Sequence, residues 1–293
     1  MSDGATAAAA AAADDSSVGY FQYVIDNPLE FPLTFVYAFV ALLAFDVLFA
    51  RQLYDVVKKP SEATRKKRPQ KSRWFAIHVF ANLIVCIAAF KPVVTAMIDP
   101  AHSADGTKYS DTSIFGTGTN FPLVMIIAVH VYHMVIFDDL SSADYFHHLM
   151  FIPTMGIPGM LYKWGPAQSF LCFFISGLPG GIDYAALALN KMGWINDRSL
   201  IKKIGALQNS WIRWPGIIVS AYNIYMGWVY GSLHAPWYWA LLIAGLSSFN
   251  AIYYGFQAIS AQTKDSIVQQ HLKEGGAMFE NGGRGIKVNR PGS

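Results

Sequence analysis

The stretch FPLTFVYAFVALLAFDVLFA, residues 31–50, decides the fold class, because Asp46 is the only charged side chain within it. A helix needs about 20 mainly apolar residues to cross the hydrocarbon core of a bilayer. The rest of the chain has the same character, since 53% of its 293 residues are hydrophobic and only 14% are charged. Soluble domains carry about 25% charged residues. The sequence therefore predicts an all-α membrane protein.

Six further apolar segments are long enough to cross a membrane, at 74–98, 121–137, 147–163, 166–190, 212–232 and 236–258. We therefore predict a bundle of about seven transmembrane helices. Gly156, Pro158, Gly159 and the GLPGG of 177–181 are expected to bend or interrupt the fourth and fifth helices. The predicted organisation is a disordered alanine-rich tail at 1–18, a transmembrane domain at 30–262 and a cytosolic tail at 263–293.

The distribution of lysine and arginine predicts the orientation. Nineteen of the 22 basic residues lie in three regions: 51–73, 191–213 and the C-terminal tail. With seven spans all three regions fall on one side, and an excess of basic residues marks the cytosolic side. We therefore expect a lumenal or external N-terminus and a cytosolic C-terminus. Nucleic-acid binding is not expected, because these residues flank spans and form no separate domain.

Polar side chains within the predicted spans concentrate towards the cytosolic side. They are Asp46, His78, Asn82, His130, His133, His147, His148, Asp183, Asn190, Arg213 and Asn250. Intramembrane ionisable residues are functional candidates by default. Their shared depth predicts one polar chamber that opens to the cytosol, beside an apolar half suited to lipid chains. The alternatives are side chains that reach the interface from helix ends, and hydrogen bonds between helices.

The pair His147-His148 stands at the start of the fourth predicted helix, in DYFHHL. Neighbouring residues on a helix point about 100° apart, so the pair is a poor metal site and no metal is predicted. One imidazole could act as a general base or nucleophile while the other fixes a tautomer or binds a carboxylate. Asp183 lies two turns inside a predicted helix and needs a proton, a cation or a histidine. A polar cap at a helix start remains the alternative for the pair.

These motifs, in their order, resemble the TLC-domain family of membrane proteins (the TRAM/LAG/CLN type), which includes ceramide synthases. The resemblance covers roughly residues 30–262. It is carried by DYFHHL at 144–149, GIDYAALALNKMGW at 181–194, NSWIRWPG at 209–216 and SSFNAIYYGF at 247–256. It implies an all-helical bundle in the endoplasmic reticulum membrane, with a hydrophobic tunnel for an acyl chain.

In the ceramide synthase branch, the histidine pair and nearby aspartates transfer an acyl group from acyl-CoA to the amine of a long-chain base. The resemblance implies that His147 or His148 is the acyl acceptor or base and Asp183 the orienting carboxylate. The candidate substrate-binding residues are His133, Asn190, Arg213 and Asn250. No cofactor is implied, and acyl-CoA is the candidate co-substrate, its phosphates suited to the basic cytosolic surfaces.

The sequence departs from the ceramide synthase pattern in two places. Phe151 stands where those enzymes have a threonine, and the following helix carries Asp183 without a second, nearby aspartate. The catalytic motif is therefore incomplete, although one His–Asp pair is chemically enough for base catalysis.

Three function classes stay open. The first is a lipid-acting enzyme, such as a sphingolipid acyltransferase, and the second is a non-catalytic protein that binds lipid or regulates lipid composition. The third is a seven-helix receptor or retinal protein, disfavoured because 236–258 has no lysine and because Cys86 and Cys172 both lie in predicted spans. The expected partners are a lipid or fatty acyl chain and the membrane, and the oligomeric state stays open.

Overall fold

A computed structural model describes residues 30–52, 68–137 and 140–273. Every regular element in these ranges is helical, which confirms the all-α fold class. The predicted tail at 1–18, the basic residues of 53–67 and the chain after 273 lie outside the described residues.

Ten helices follow one another in the described ranges. They are α1 (Glu30–Phe45), α2 (Arg68–Ile98), α3 (Phe121–Ile136), α4 (Ser142–Phe151), α5 (Ile157–Leu161), α6 (Pro166–Cys172), α7 (Leu178–Met192), α8 (Arg198–Gln208), α9 (Trp214–Val229) and α10 (Trp237–Lys273). Wide π turns at Asp46–Ala50, Ile152–Gly156, Phe173–Gly177 and Asn209–Arg213 prolong α1 and join α4 to α5, α6 to α7 and α8 to α9. The described residues thus form seven continuous helical rods.

Four stretches of the described chain are long and apolar enough to cross a membrane. They are Phe31–Ala50, Ser72–Ile98, Pro166–Met192 and Trp237–His271. The apolar helix Phe121–Ile136 is shorter. The chain therefore has the character of a membrane protein, and the count of seven crossings remains a prediction.

Three of the wide turns stand directly before a proline. At Pro158, Pro179 and Pro215, the preceding residue donates its backbone N–H to the carbonyl five residues before it. In a regular helix a proline ring clashes with the carbonyl four residues earlier. The wide turn gives that carbonyl another position, so each rod continues past its proline. The expected bends at Gly156 and in 177–181 take this form.

Helix α2 lies at the centre of the bundle, against α7, α6 and α3, while α1 packs on α3 and both α8 and α9 pack on α10. Fully buried apolar side chains, including Leu42, Ile77 and Val124, fill the space between α1, α2 and α3. A second apolar cluster, which includes Ile217, Ile224 and Ile243, lies between α9 and α10. The two clusters flank the polar residues described below.

Two rods extend beyond the spans predicted for them. Asp197 caps α8 by accepting from the backbone N–H groups of Ser199 and Leu200, so the sixth rod begins before 212. Helix α10 continues to Lys273, past 262, and its 37 residues correspond to about 55 Å, against about 30 Å of hydrocarbon core. Lys202 Nζ donates to Asp265 Oδ1 at 2.5 Å and so ties α8 to this extension.

The bundle has two different ends. We call the end that carries Asp46, Arg73 and Lys202 the basic end and the opposite one the loop end. At the loop end, the segment 99–120 is held by Asp99, which accepts from Lys108 Nζ at 2.6 Å and from Tyr109 OH at 2.7 Å. These bonds join the start of the loop to its middle.

Candidate functional site

Five histidines from three helices meet in the half of the bundle towards the basic end. This histidine cluster consists of His78 on α2, His130 and His133 on α3, and His147 and His148 on α4. The ring centroids lie 4.2 Å apart for His78–His133, 4.7 Å for His130–His148, 5.4 Å for His130–His147 and 5.9 Å for His133–His148. The structure therefore brings together His133, His147 and His148, which the sequence proposed, with His78 and His130.

The cluster is built by two helical stripes that run in opposite directions. On α3 the stripe is Leu123, Ile126, His130 and His133, and on α4–α5 it is Gly159, Met155, Phe151 and His148. Spacings of three and four residues keep each stripe on one helix face. At the apolar end a Cβ on Gly159 would lie 2.6 Å from Leu123 Cδ2, so a larger residue here would require the Leu123 side chain to move. At the polar end the histidines of both stripes meet.

Two hydrogen bonds constrain where protons reside in the cluster. His130 Nδ1 lies 2.6 Å from the carbonyl of Ile126, and because a carbonyl only accepts, Nδ1 carries a proton. His130 Nε2 then faces His147 Nε2 at 3.4 Å. His78 Nε2 accepts from the indole N–H of Trp74 at 3.0 Å, so this nitrogen is unprotonated and His78 is neutral.

His133 is the most buried member of the cluster. Its side chain has no exposed surface, and its ring lies 4.6 Å from Trp74 and 5.6 Å from Phe137. Among the described residues neither His133 nitrogen has a hydrogen-bond partner, and the same holds for His148 Nδ1. Buried polar atoms in native proteins are nearly always paired. These three nitrogens are therefore able to hydrogen-bond to a polar group or to water.

An apolar cavity begins where the cluster ends. It is a narrow, partly open cavity of about 30 Å³, and its lining residues include Leu123, Ile126, Phe151, Met155, Leu171 and Ile243. Its two polar wall residues are bonded to backbone, Gln168 Nε2 to Gly159 O at 2.7 Å and Trp164 Nε1 to Pro158 O at 3.1 Å. Ile126 and Phe151 line the cavity and also contact His130, so the cavity and the cluster share a boundary.

A second polar group lies across from the histidines. Asp183 on α7 is half-buried, and the cation that acts on it is Arg213. Arg213 Nη1 donates to Asn209 Oδ1 at 2.7 Å, while its buried Nε has no partner among the described residues. A Cβ on Gly205 would lie 3.5 Å from Asp183 Oδ1, an ordinary contact distance, so the carboxylate lies against α8 at this glycine.

Two tyrosines stand between the two polar groups. The Tyr184 ring lies 3.9 Å from the ring of His78, and Tyr184 follows Asp183 directly on α7. The Tyr254 ring lies 6.2 Å from that of His147. In the described chain no hydrogen bond joins Asp183 to His147 or His148, so the His–Asp pairing implied by the resemblance is not made directly.

The other two proposed site residues lie at the margin. Asn190 Nδ2 donates to the carbonyl of Ile195 at 2.7 Å and so holds the turn that ends α7. Asn250 is half-buried on α10, one turn before Tyr254. The sequence reasoning missed Trp74, although its position four residues before His78 places both on one helix face.

Asp46 forms a separate network at the basic end. Its carboxylate is fully buried and accepts from Arg73 through Nε at 2.5 Å and also through Nη2. Tyr132 OH donates to the same carboxylate at 2.6 Å. This network joins the end of α1 to α2 and α3, beside the histidine cluster.

Within residues 30–52, 68–137 and 140–273, no group of three His, Cys, Asp or Glu side chains has the geometry to hold a metal ion. No protein-family model matches the chain, and no curated protein or solved structure matches it. Any functional conclusion therefore depends on the site itself and on the motif order in the sequence.

Proposed function

We propose that this chain is a seven-span membrane protein of lipid metabolism that holds a lipid chain in the apolar cavity and the polar head at the histidine cluster. The observation that carries the proposal is the boundary at His130, where Ile126 and Phe151 touch both compartments. The cavity is narrow, at about 30 Å³, so a lipid chain that enters it displaces side chains of its wall. Ligand sites are typically lined by apolar side chains with a few convergent polar groups. This arrangement has both parts.

The reaction that best fits is acyl transfer from acyl-CoA, of the type that the ceramide synthase resemblance implies. His147 or His148 would accept the proton of the attacking amine or hydroxyl, the new acyl bond would form, and the CoA thiolate would leave with a proton. His147 is half-buried and contacts two rings. His130 lies on its side towards the cavity, and Tyr254 lies on its side towards Asp183 and Arg213.

The distribution of charge supports a cytosolic basic end, while the proposed location in the endoplasmic reticulum membrane rests on the resemblance alone. Arg51, Arg73 and Lys202 lie at the basic end, whereas Asp99, Asp105 and Asp111 lie in the loop at the other. Basic residues accumulate on the cytosolic side of membrane proteins. CoA would then approach the chamber from the side that carries the basic residues.

A non-catalytic lipid-binding or lipid-regulating protein is the second candidate. The observation that favours it is that, among the described residues, no hydrogen bond joins Asp183 to His147 or His148, so the histidines lack a directly bound carboxylate. A general base of the His–Asp type needs that carboxylate to fix its tautomer.

The two candidates are separated by lipid analysis of cells that express the wild type, His148→Ala or the control Phe146→Ala at matched levels. Phe146 lies on the same helix and is 67% exposed. A change in ceramide species that disappears only in His148→Ala supports acyl transfer. A phospholipid change that survives both substitutions supports a regulatory protein, and no lipid change with the wild type contradicts both.

A further inference from the structure

We infer that His130 is the positioning residue of the proposed acyl transfer, because it holds His147 in the tautomer whose Nδ1 takes the proton of the attacking group. The inference rests on the proposed function and deepens it. It assigns the base to one atom of the histidine pair. It also names the group that orients this base in place of a bound carboxylate.

The backbone of α3 fixes the protonation of His130. The carbonyl of Ile126, one helical turn earlier, lies 2.6 Å from His130 Nδ1. Because a carbonyl oxygen only accepts, Nδ1 is the protonated nitrogen. The ring neighbours of His130 are His147, His148 and Phe151, which offer no negative charge to a buried imidazolium. His130 is therefore neutral and carries its lone pair on Nε2.

His130 in turn fixes the protonation of His147. Their two Nε2 atoms lie 3.4 Å apart, a long hydrogen bond of the kind that catalytic groups often show before substrate binds. Since His130 Nε2 accepts, His147 Nε2 is the donor, and a neutral His147 then has its lone pair on Nδ1. The carbonyl of Ile126 thus acts through His130 as the buried aspartate acts in a Ser-His-Asp triad, although it carries no charge.

The other histidine of the pair is less accessible. His148 is 3% exposed, and its buried Nδ1 has no hydrogen-bond partner in the described part of the chain. Its ring packs edge-on against His130, with centroids 4.7 Å apart. His147 is half-buried, and within the described ranges no hydrogen bond occupies its Nδ1. His147 Nδ1 is therefore free to accept a proton from a substrate.

Asp144 supplies a negative charge for this step. It lies one turn before His147 on the same face of α4 and acts electrostatically on both histidines of the pair. In the described part of the chain its carboxylate accepts from the backbone N–H and the hydroxyl of Ser141 and forms no ion pair. An opposite charge nearby stabilises the imidazolium that forms when His147 takes a proton.

The proposed step balances with acyl-CoA and the acceptor alone. The attacking amine or hydroxyl gives its proton to His147 Nδ1, and its electron pair forms the bond to the acyl carbon. The C–S bond then breaks, and the CoA thiolate leaves with the proton from Nδ1. Throughout, the bond from His147 Nε2 to His130 keeps the ring from turning.

The substitutions His130→Gln and His130→Phe separate positioning from packing. Glutamine keeps an acceptor for His147 Nε2–H, whereas phenylalanine keeps a ring that stacks on Phe151. The assay uses the full-length protein in phosphatidylcholine nanodiscs, with palmitoyl-CoA and sphinganine as substrates. We expect His130→Phe to lower kcat about 10²-fold with KM nearly unchanged, and His130→Gln to stay within about fivefold of the wild type. If His130→Phe is the more active variant, His130 only packs and the inference is wrong.

The tautomers are measured without any activity. Full-length protein labelled with ¹⁵N-histidine is studied by NMR in the same nanodiscs, and His147→Gln and His130→Gln identify the two rings. We expect the proton of His130 on Nδ1 and that of His147 on Nε2. A proton on His147 Nδ1 or on His130 Nε2 would overturn the inference. This measurement on the wild type decides the question even if His130→Phe does not fold.

The two measurements separate the inference from the proposed function. Acyl transfer by the wild type with the opposite tautomers overturns the inference and leaves the proposed function standing. No acyl transfer by the wild type overturns the proposed function, and the catalytic role of His147 falls with it. Acyl transfer with the expected tautomers and with His130→Gln more active than His130→Phe supports both.

Discussion

Phe151 lies stacked on His130, with ring centroids 4.8 Å apart and ring planes inclined by 16°. This contact closes the apolar cavity against the histidine cluster, because Phe151 is also part of the cavity wall. In the sequence, Phe151 is the residue that departs from the threonine of ceramide synthases. The departure therefore falls at the boundary between the two compartments of the site.

Replacing this ring should weaken the fold measurably. We expect Phe151→Thr to lower the free energy of unfolding by about 2–4 kcal/mol, because both the stacking on His130 and part of the cavity wall are lost. Thermal unfolding in nanodiscs, followed by tryptophan fluorescence, measures the effect. Phe146→Thr, on the exposed face of α4, is the control and should cost less than about 1 kcal/mol. Equal losses would mean that the stacked ring has no special role.

A substitution in the Asp46 network should lower the free energy of unfolding far more than one in the ion pair between Lys202 and Asp265. Asp46→Asn leaves the Arg73 guanidinium without its buried counter-ion and should cost about 3–5 kcal/mol. Asp265→Asn breaks the more exposed pair with Lys202 and should cost about 0–1 kcal/mol.

A double variant, Asp46→Leu with Arg73→Leu, distinguishes the ion pair from simple packing. It leaves no unpaired charge in the buried site, because the remaining cation, Arg51, is half exposed, so it should be more stable than Asp46→Asn. If the double variant is the less stable of the two, the charges are not what makes the site sensitive.

The loop end should lose stability in acid. Hydrogen bonds from Lys108, and also from His102 and Tyr109, hold the pKa of Asp99 well below its usual value. A depressed carboxyl pKa stabilises the fold above the unfolded pKa of about 3.9, and this contribution is lost as the pH falls towards the folded pKa. The melting temperature of the wild type should therefore exceed that of Asp99→Asn at pH 7, and the difference should shrink below about pH 4. A difference that is constant over this range would contradict the assignment to Asp99.

The proposed topology predicts which residues a membrane-impermeant maleimide can reach. With Cys86 and Cys172 replaced by alanine, a cysteine at Ser113 lies at the loop end and one at Ser266 at the basic end, both at exposed positions. In sealed microsomes the second should react and the first should react only after detergent is added. The reverse pattern would invert the orientation, and reaction of both would contradict the odd number of spans.

The helical segments could be predicted because apolar length alone determines them. The wide turns could not be predicted. One extra residue in the turn before Pro158, Pro179 or Pro215 does not change the hydrophobic pattern enough to be recognised. The early start of the sixth rod was missed for a related reason. Helix α8 alternates lysines with apolar residues and so lacks the uniform apolarity of a span.

Only part of the site could be predicted from the sequence, for similar reasons. Depth along the rods placed His133, His147 and His148 at one level, and the structure brings their rings together. The electrostatic influence of Arg213 on Asp183 could not be predicted, because Arg213 belongs to another rod and the packing of α7 on α8 brings the two rods together. The link between His78 and Trp74 needed no tertiary information, since a spacing of four residues already joins them.

The buried carboxylate of Asp46 has a consequence for how the protein is made. Its partner Arg73 lies 27 residues further along the chain, which the ribosome adds in about 1–5 seconds at about 5–20 residues per second. Tyr132 follows only 86 residues after Asp46. During this interval Arg51, whose guanidinium lies 3.5 Å from the carboxylate and is half exposed, is the charge on the same rod that can balance Asp46. The hydrogen bonds that hold this buried carboxylate are therefore completed only after the second and third helices have been made.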